Sequence, residues 1–158
     1  MKQPARLLIL LLAAISSRAA ALELTVIHTN DIHGWIMPRA AYWNTADPKR
    51  EIGGAAALAA FYKQQPGPKL LLDGGDWFQG TPEGNISRGQ ALVDIFNALP
   101  YDAVVVGNHD FDLTEGRLKE LVAGIKPPVL GANVYVAKDK KRAPYLTPWI
   151  IKEVSGVK

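Results

Sequence analysis

The sequence predicts an α/β fold with a mostly parallel sheet. Short apolar runs of strand length alternate with longer segments of helical periodicity, and glycine- or proline-bearing turns separate them. Polar side chains able to bind cations gather just past three of those runs, where sheets of this kind place their ligands.

The first strand is expected over Leu22 to Asn30, where β-branched residues end in turn-forming polar ones. A loop over Tyr42 to Arg50, without periodicity, leads into an Ala-rich helix over Gly53 to Gln65, with Leu58, Phe61 and Tyr62 at helical spacing. Pro66-Gly67-Pro68 ends it, and Lys69 to Asp73 supplies the second strand through Leu70-Leu71-Leu72, a run suited to burial on both faces. After a glycine-rich loop to Gly89, residues Ala91, Leu92, Ile95, Phe96 and Leu99 mark the second helix. Ala103 to Val106 is the third strand. Leu113 to Ile125 is the third helix, stopped by Pro127 and Pro128. Val129 to Tyr135 reads as a fourth strand, and Trp149 to Val154 as a fifth.

At 158 residues and 48% hydrophobic, the chain is the size of one domain and can bury a core, which excludes a disordered class. Lys2 and Arg6 precede an apolar run from Leu7 to Ile15, and Ala19 and Ala21 fit a small-x-small cleavage pattern. Residues 1–21 are therefore expected to be a signal peptide, and residues 22–158 the folded part. Arg18 interrupts the run too early for a stable membrane span. The formal charge of +3 comes from Lys2, Arg6 and Arg18, all in the leader, so the remainder is neutral and gives no reason to expect a nucleic-acid polymer as partner. Cysteine is absent, which excludes thiolate metal sites and disulfides.

Asp31 and His33 lie two apart past the first strand. In an extended backbone both side chains point the same way and can share one cation. Asp76 lies past the second strand, Asn108 and His109 past the third, and Gly34, Gly74, Gly75 and Gly107 flank these donors. Taken singly, an aspartate at a strand end is commonly a cap or turn former, so the weight rests on the convergence of the three loops. Gln79, Thr81 and Asn85 read as a solvated loop, His28 as a packed or backbone-bonded imidazole, and the cluster Lys138, Lys140, Lys141 and Arg142 as a solvated loop. Trp35, Trp43 and Trp77 are open to either base stacking or packing at the sheet rim.

Asp31-Ile32-His33, Gly75-Asp76 and Gly107-Asn108-His109-Asp110, in this order and each after a predicted strand, resemble the calcineurin-like metallophosphoesterases. The longer stretches Thr29 to Gly34, Gly75-Asp76 through Gln79-Gly80-Thr81-Pro82, and Gly107 to Asp112 narrow the likeness to the 5′-nucleotidase and UDP-sugar hydrolase branch. The resemblance implies the amino-terminal part of an α/β/β/α sandwich, incomplete at its carboxyl end. It also implies two divalent metal ions, zinc, manganese or similar. Asp31 and His33 would bind one, Asp76 would bridge both, and Asn108 would bind the second and contact substrate. His109 would act beside the phosphoryl group, oriented by Asp112, although Asp112 is equally placed to cap the third helix.

The implied activity is hydrolysis of nucleotide phosphate monoesters by a metal-activated water, in an exported, periplasmic or extracellular protein with a small-molecule nucleotide substrate. Within the enzyme class the same motifs resemble 2′,3′-cyclic phosphodiesterases, UDP-sugar hydrolases and sulfur-oxidation hydrolases. The family's Gly-His and Gly-His-x-His motifs are not found after His109, so the chain by itself is expected to bind metal weakly and turn over negligibly. A non-catalytic protein that binds a nucleotide or partner is the reading from another class.

Overall fold

The structure, a computed structural model, describes residues 21–158, so the expected leader lies outside the described residues but for Ala21. Its central sheet has four strands: β1 Thr25–Thr29, β4 Lys69–Asp73, β5 Ala103–Val105 and β6 Val129–Leu130. They lie in the order β1-β4-β5-β6 and all neighbours are parallel, so their carboxyl ends share one edge. The register sets Thr25 against Lys69 and Thr29 against Asp73. A two-stranded antiparallel ribbon, β2 Arg39–Ala40 with β3 Glu51–Ile52, brackets the predicted 42–50 loop. Strands this short leave no run long enough to read in the sequence.

Helix α1, Gly54–Gln64, matches the expected span, and Leu58 and Tyr62 pack on the core. Phe61 does not. It is exposed, because the packed stripe runs through the i and i+4 positions. Helix α3, Gln90–Ala98, buries Leu92, Val93 and Phe96, while α4, Glu115–Gly124, buries Leu118 and Leu121. These residues join Ile27, Leu71, Val104 and Val129 of the sheet in one apolar cluster. Phe96, fully buried and edge-on to Trp77 and Tyr101, contributes about 3–5 kcal/mol relative to Ala at such a site. The other sheet face carries Val26 and His28, both exposed, so His28 is not the packed imidazole its place in a strand suggested.

The glycine-rich loop holds a short helix that periodicity did not reveal, α2 Pro82–Ile86. Thr81 caps it, with Pro82 at its first position. The fourth predicted strand is cut to Val129–Leu130, because Gly131 turns the chain and Val134 N–H bonds back to Gly131 O. Thr147 takes up the edge instead. Its N–H donates to Val129 O, and its carbonyl accepts Gly131 N–H. The predicted fifth strand over Trp149 to Val154 does not form among the described residues. Pro148 cannot donate to a ladder there, and Trp149 and Ile151 stand exposed. Among the described residues no helix is long and apolar enough to cross a membrane.

Candidate metal centre

The pairing of β1 with β4 continues beyond the strands. Asp31 N–H donates to Gly75 O at 2.9 Å, His33 N–H to Asp76 O at 3.0 Å, and Gly34 N–H to Trp77 O at 2.8 Å. The backbone along this ladder is not extended, as the spacing argument supposed. Asp31, His33 and Asp76 all have left-handed φ, at 52°, 48° and 59°. Aspartate and histidine both enter this region more readily than most residues, and the backbone bonds between the two loops hold them there. The side chains thus converge through two sharp turns tied together by backbone bonds, not through strand alternation.

One ligand atom from each of Asp31, His33 and Asp76 lies within 4.8 Å of the others. His33 Nε2 stands 3.7 Å from Asp31 Oδ1. His33 Nδ1 lies 2.6 Å from Gln79 O, and since a carbonyl only accepts, Nδ1 carries the hydrogen and Nε2 presents its lone pair. Asp76 Oδ1 accepts His109 N–H at 2.8 Å, which leaves Oδ2 for a cation. Two carboxylates and an oriented imidazole, part exposed at one sheet edge, fit a divalent cation such as zinc or manganese.

The loop after β5 approaches to van der Waals limits. A Cβ on Gly107 would fall 2.1 Å from Asp76 Oδ1, and one on Gly75 would fall 2.5 Å from Gly107 N, so both positions require glycine. Asp110 sits in a 3₁₀ turn, His109–Phe111, and is buried. Its Oδ2 accepts Asp76 N–H at 3.0 Å and Gly107 N–H at 2.8 Å, and its Oδ1 accepts Trp77 N–H at 2.8 Å. Burial pushes its carboxyl up to about 6 against the opposing pull of these amides. Asp73, equally buried, is likewise pushed to about 6 although Thr29 Oγ1–H donates to it at 2.6 Å.

His109 Nδ1 lies 2.8 Å from Asp112 Oδ2, and the hydrogen bond to this carboxylate raises the imidazole above its ordinary value. Its ring stands edge-on to His33, with centroids 5.3 Å apart. The alternative role of Asp112 as a helix cap is taken by Thr114, whose Oγ1 accepts Arg117 N–H. Asn108 opens the same turn, exposed, one residue before the amide that bonds Asp76.

Three residues assigned to a solvated loop support the centre instead. Gln79 supplies the carbonyl that orients His33, and buried Thr81 donates to Gly34 O at 2.8 Å. Asn85 Oδ1 accepts Gly80 N–H at 3.2 Å. Trp77 is buried, with Nε1–H donating to Val105 O, so packing decides its role; Trp35 and Trp43 are exposed. The basic cluster over Lys138 to Arg142 is solvated as expected. Asp110 carried a signal only as part of the Gly107-Asn108-His109-Asp110 stretch, since its three partners are backbone amides that no residue type announces.

Residues 24–148 match the model of the calcineurin-like phosphoesterase family. The chain is 37% identical to human 5′-nucleotidase over 139 residues, covering 84% of this chain and 24% of that protein. It is 33% identical to the 2′,3′-cyclic-nucleotide 2′-phosphodiesterase/3′-nucleotidase of Salmonella typhimurium over 164 residues, covering 99% of this chain and 25% of that protein. Among solved structures, the 5′-nucleotidase precursor of Thermus thermophilus superimposes with a TM-score of 0.72 at 34% identity, over 84% of this chain and 26% of that one. The chain thus spans about a quarter of the length of the relatives it matches.

Proposed function

Since the chain belongs to the calcineurin-like phosphoesterase family, with 5′-nucleotidases among its relatives, we propose that it serves in the metal-dependent hydrolysis of nucleotide phosphate monoesters. The observation that carries this reading is the meeting of Asp31, His33 and Asp76 at one edge of the sheet, with His109 beside them. Divalent cations held by these residues would supply an acidified water and neutralise phosphoryl oxygens.

Asp31 and His33 are assigned to one cation, Asp76 to a bridging place, and Asn108 to the second cation and to substrate. His109 has its Nδ1 committed to Asp112, so Nε2 is the nitrogen that faces outward. Asp112 raises the proton affinity of the ring, which favours a proton at Nε2 for a phosphoryl or leaving-group oxygen. Asp112 keeps the ring in that orientation. The remaining ligands of a two-cation centre are sought outside this set of residues. The leader over residues 1–21 supports export to the periplasm or cell exterior.

The test is release of inorganic phosphate from a 5′-mononucleotide by the complete gene product. Activity should vanish on chelation, return with Mn²⁺ or Zn²⁺, and fall by about 10²-fold or more in His109→Ala. Hydrolysis that survives chelation, or that His109→Ala leaves intact, sinks the reading. The Salmonella relative makes a 2′,3′-cyclic nucleotide the first alternative substrate to compare.

A further inference from the structure

We propose that Asp110 is a positioning residue of the metal centre, holding Asp76 in place through the backbone and not as a ligand. The inference rests on the reading of Asp76 as a bridging ligand. Both oxygens of Asp110 are already committed, Oδ1 to Trp77 N–H and Oδ2 to Asp76 and Gly107 N–H, and the side chain is only 1% exposed. The one acceptor site these three bonds leave, on Oδ1, is buried with the rest of the side chain. Asp76 answers in kind, because its Oδ1 accepts His109 N–H from the turn that carries Asp110. The two aspartates thereby hold each other's loops, so the loop after β4 and the loop after β5 move as one body.

This arrangement answers a need at Asp76. Its φ of 59° lies in the left-handed region, and its amide has left the strand ladder. Without Asp110 that amide, together with those of Trp77 and Gly107, loses its acceptor, and the turn is free to relax toward φ < 0 and swing the Asp76 carboxylate away. A carboxylate is required. Asparagine offers one acceptor oxygen, and its NH₂ would face at least one backbone N–H, donor against donor. Glutamate keeps both acceptors but shifts them by one methylene.

The experiment is Mn²⁺ titration calorimetry on the intact protein, beside amide hydrogen exchange, for wild type, Asp110→Asn and Asp110→Glu. The expected result for Asp110→Asn is Mn²⁺ affinity reduced by about 10–100-fold, with the Asp76, Trp77 and Gly107 amides exchanging faster while those of β1 and β4 stay protected. Asp110→Glu should recover part of the affinity. A Mn²⁺ affinity within twofold of wild type in Asp110→Asn, with those three amides opened, overturns the proposal. If Asp110→Asn fails to fold, wild-type affinity in folded Asp110→Glu with the same amides opened overturns it equally. Wild-type protein that binds no Mn²⁺ sinks the assignment of Asp76 and this proposal together, a result distinct from unchanged affinity in the variants.

Discussion

The Nδ1 of His33 meets the carbonyl oxygen of Gln79 at 2.6 Å, which fixes the imidazole as its Nδ1–H tautomer and turns Nε2 toward Asp31. In the neutral ring this orientation points the Nε2 lone pair at the site without a choice of rotamer. Nitrogen-15 spectra of the metal-free protein near pH 8 should therefore report the Nδ1–H form for His33. His33→Ala should lower divalent-cation affinity by at least about tenfold in calorimetry. Unchanged affinity would remove His33 from the ligand set.

His109 titrates above its ordinary value because Asp112 bonds its ring. Asp112→Asn should move the His109 midpoint down in a proton NMR titration of metal-free protein. A group whose folded value is raised stabilises the fold fully below its unfolded value and loses that contribution as pH rises through the folded one. The wild type should therefore lose its advantage over Asp112→Asn as pH climbs through the His109 midpoint. A midpoint that does not move would dismiss Asp112 as the orienting group.

Asp73 is a buried carboxylic acid in the strand, raised from 3.8 to about 6 by burial. The sign is the reverse of the familiar salt-bridged aspartate. Its contribution to stability is complete below 3.8 and is lost as pH rises through about 6. Asp73→Asn, neutral at every pH, should flatten that decline in metal-free protein. The difference between the two proteins should reach on the order of 3 kcal/mol across the window. Parallel stability–pH curves from urea melts would contradict the assignment.

Gly107→Ala should disturb the centre more than the core. The added Cβ would fall 2.1 Å from Asp76 Oδ1 and 2.5 Å from Asp76 N, so Asp76 must move. A loss of roughly 1–3 kcal/mol in stability is expected, together with weakened Mn²⁺ binding in calorimetry. A variant that binds Mn²⁺ as tightly as wild type would show that this contact can relax without shifting the ligand.

Much of this arrangement was legible beforehand because apolar runs and helical periods are properties of consecutive residues. Leu70-Leu71-Leu72 and the Leu92–Phe96 spacing announce their elements without reference to anything distant. Asp31, His33 and Asp76 were legible as a group because parallel strands end at one edge, even though the backbone that brings them together is left-handed and not extended. What stayed hidden depends on partners far along the chain. Asp110 is defined by amides at Asp76, Trp77 and Gly107, Thr81 by the carbonyl of Gly34, and the short ribbon of Arg39–Ala40 with Glu51–Ile52 by two-residue pairing. The fifth strand failed for a similar reason. Its β-rich composition found no neighbour, while Thr147 just ahead of Pro148 paired with β6.

The ladder that carries β1 and β4 past their ends joins residues some forty positions apart, with α1 as the crossover between them. Its closure is a non-local event, and such contacts form slowly because the intervening loop must be ordered first. The candidate metal-binding turns are therefore set only once the two strands have found their register. A cation bound by turns that form after the rate-limiting barrier would stabilise the native state without helping the chain reach that barrier. In stopped-flow experiments Mn²⁺ should slow unfolding and leave the refolding rate nearly unchanged.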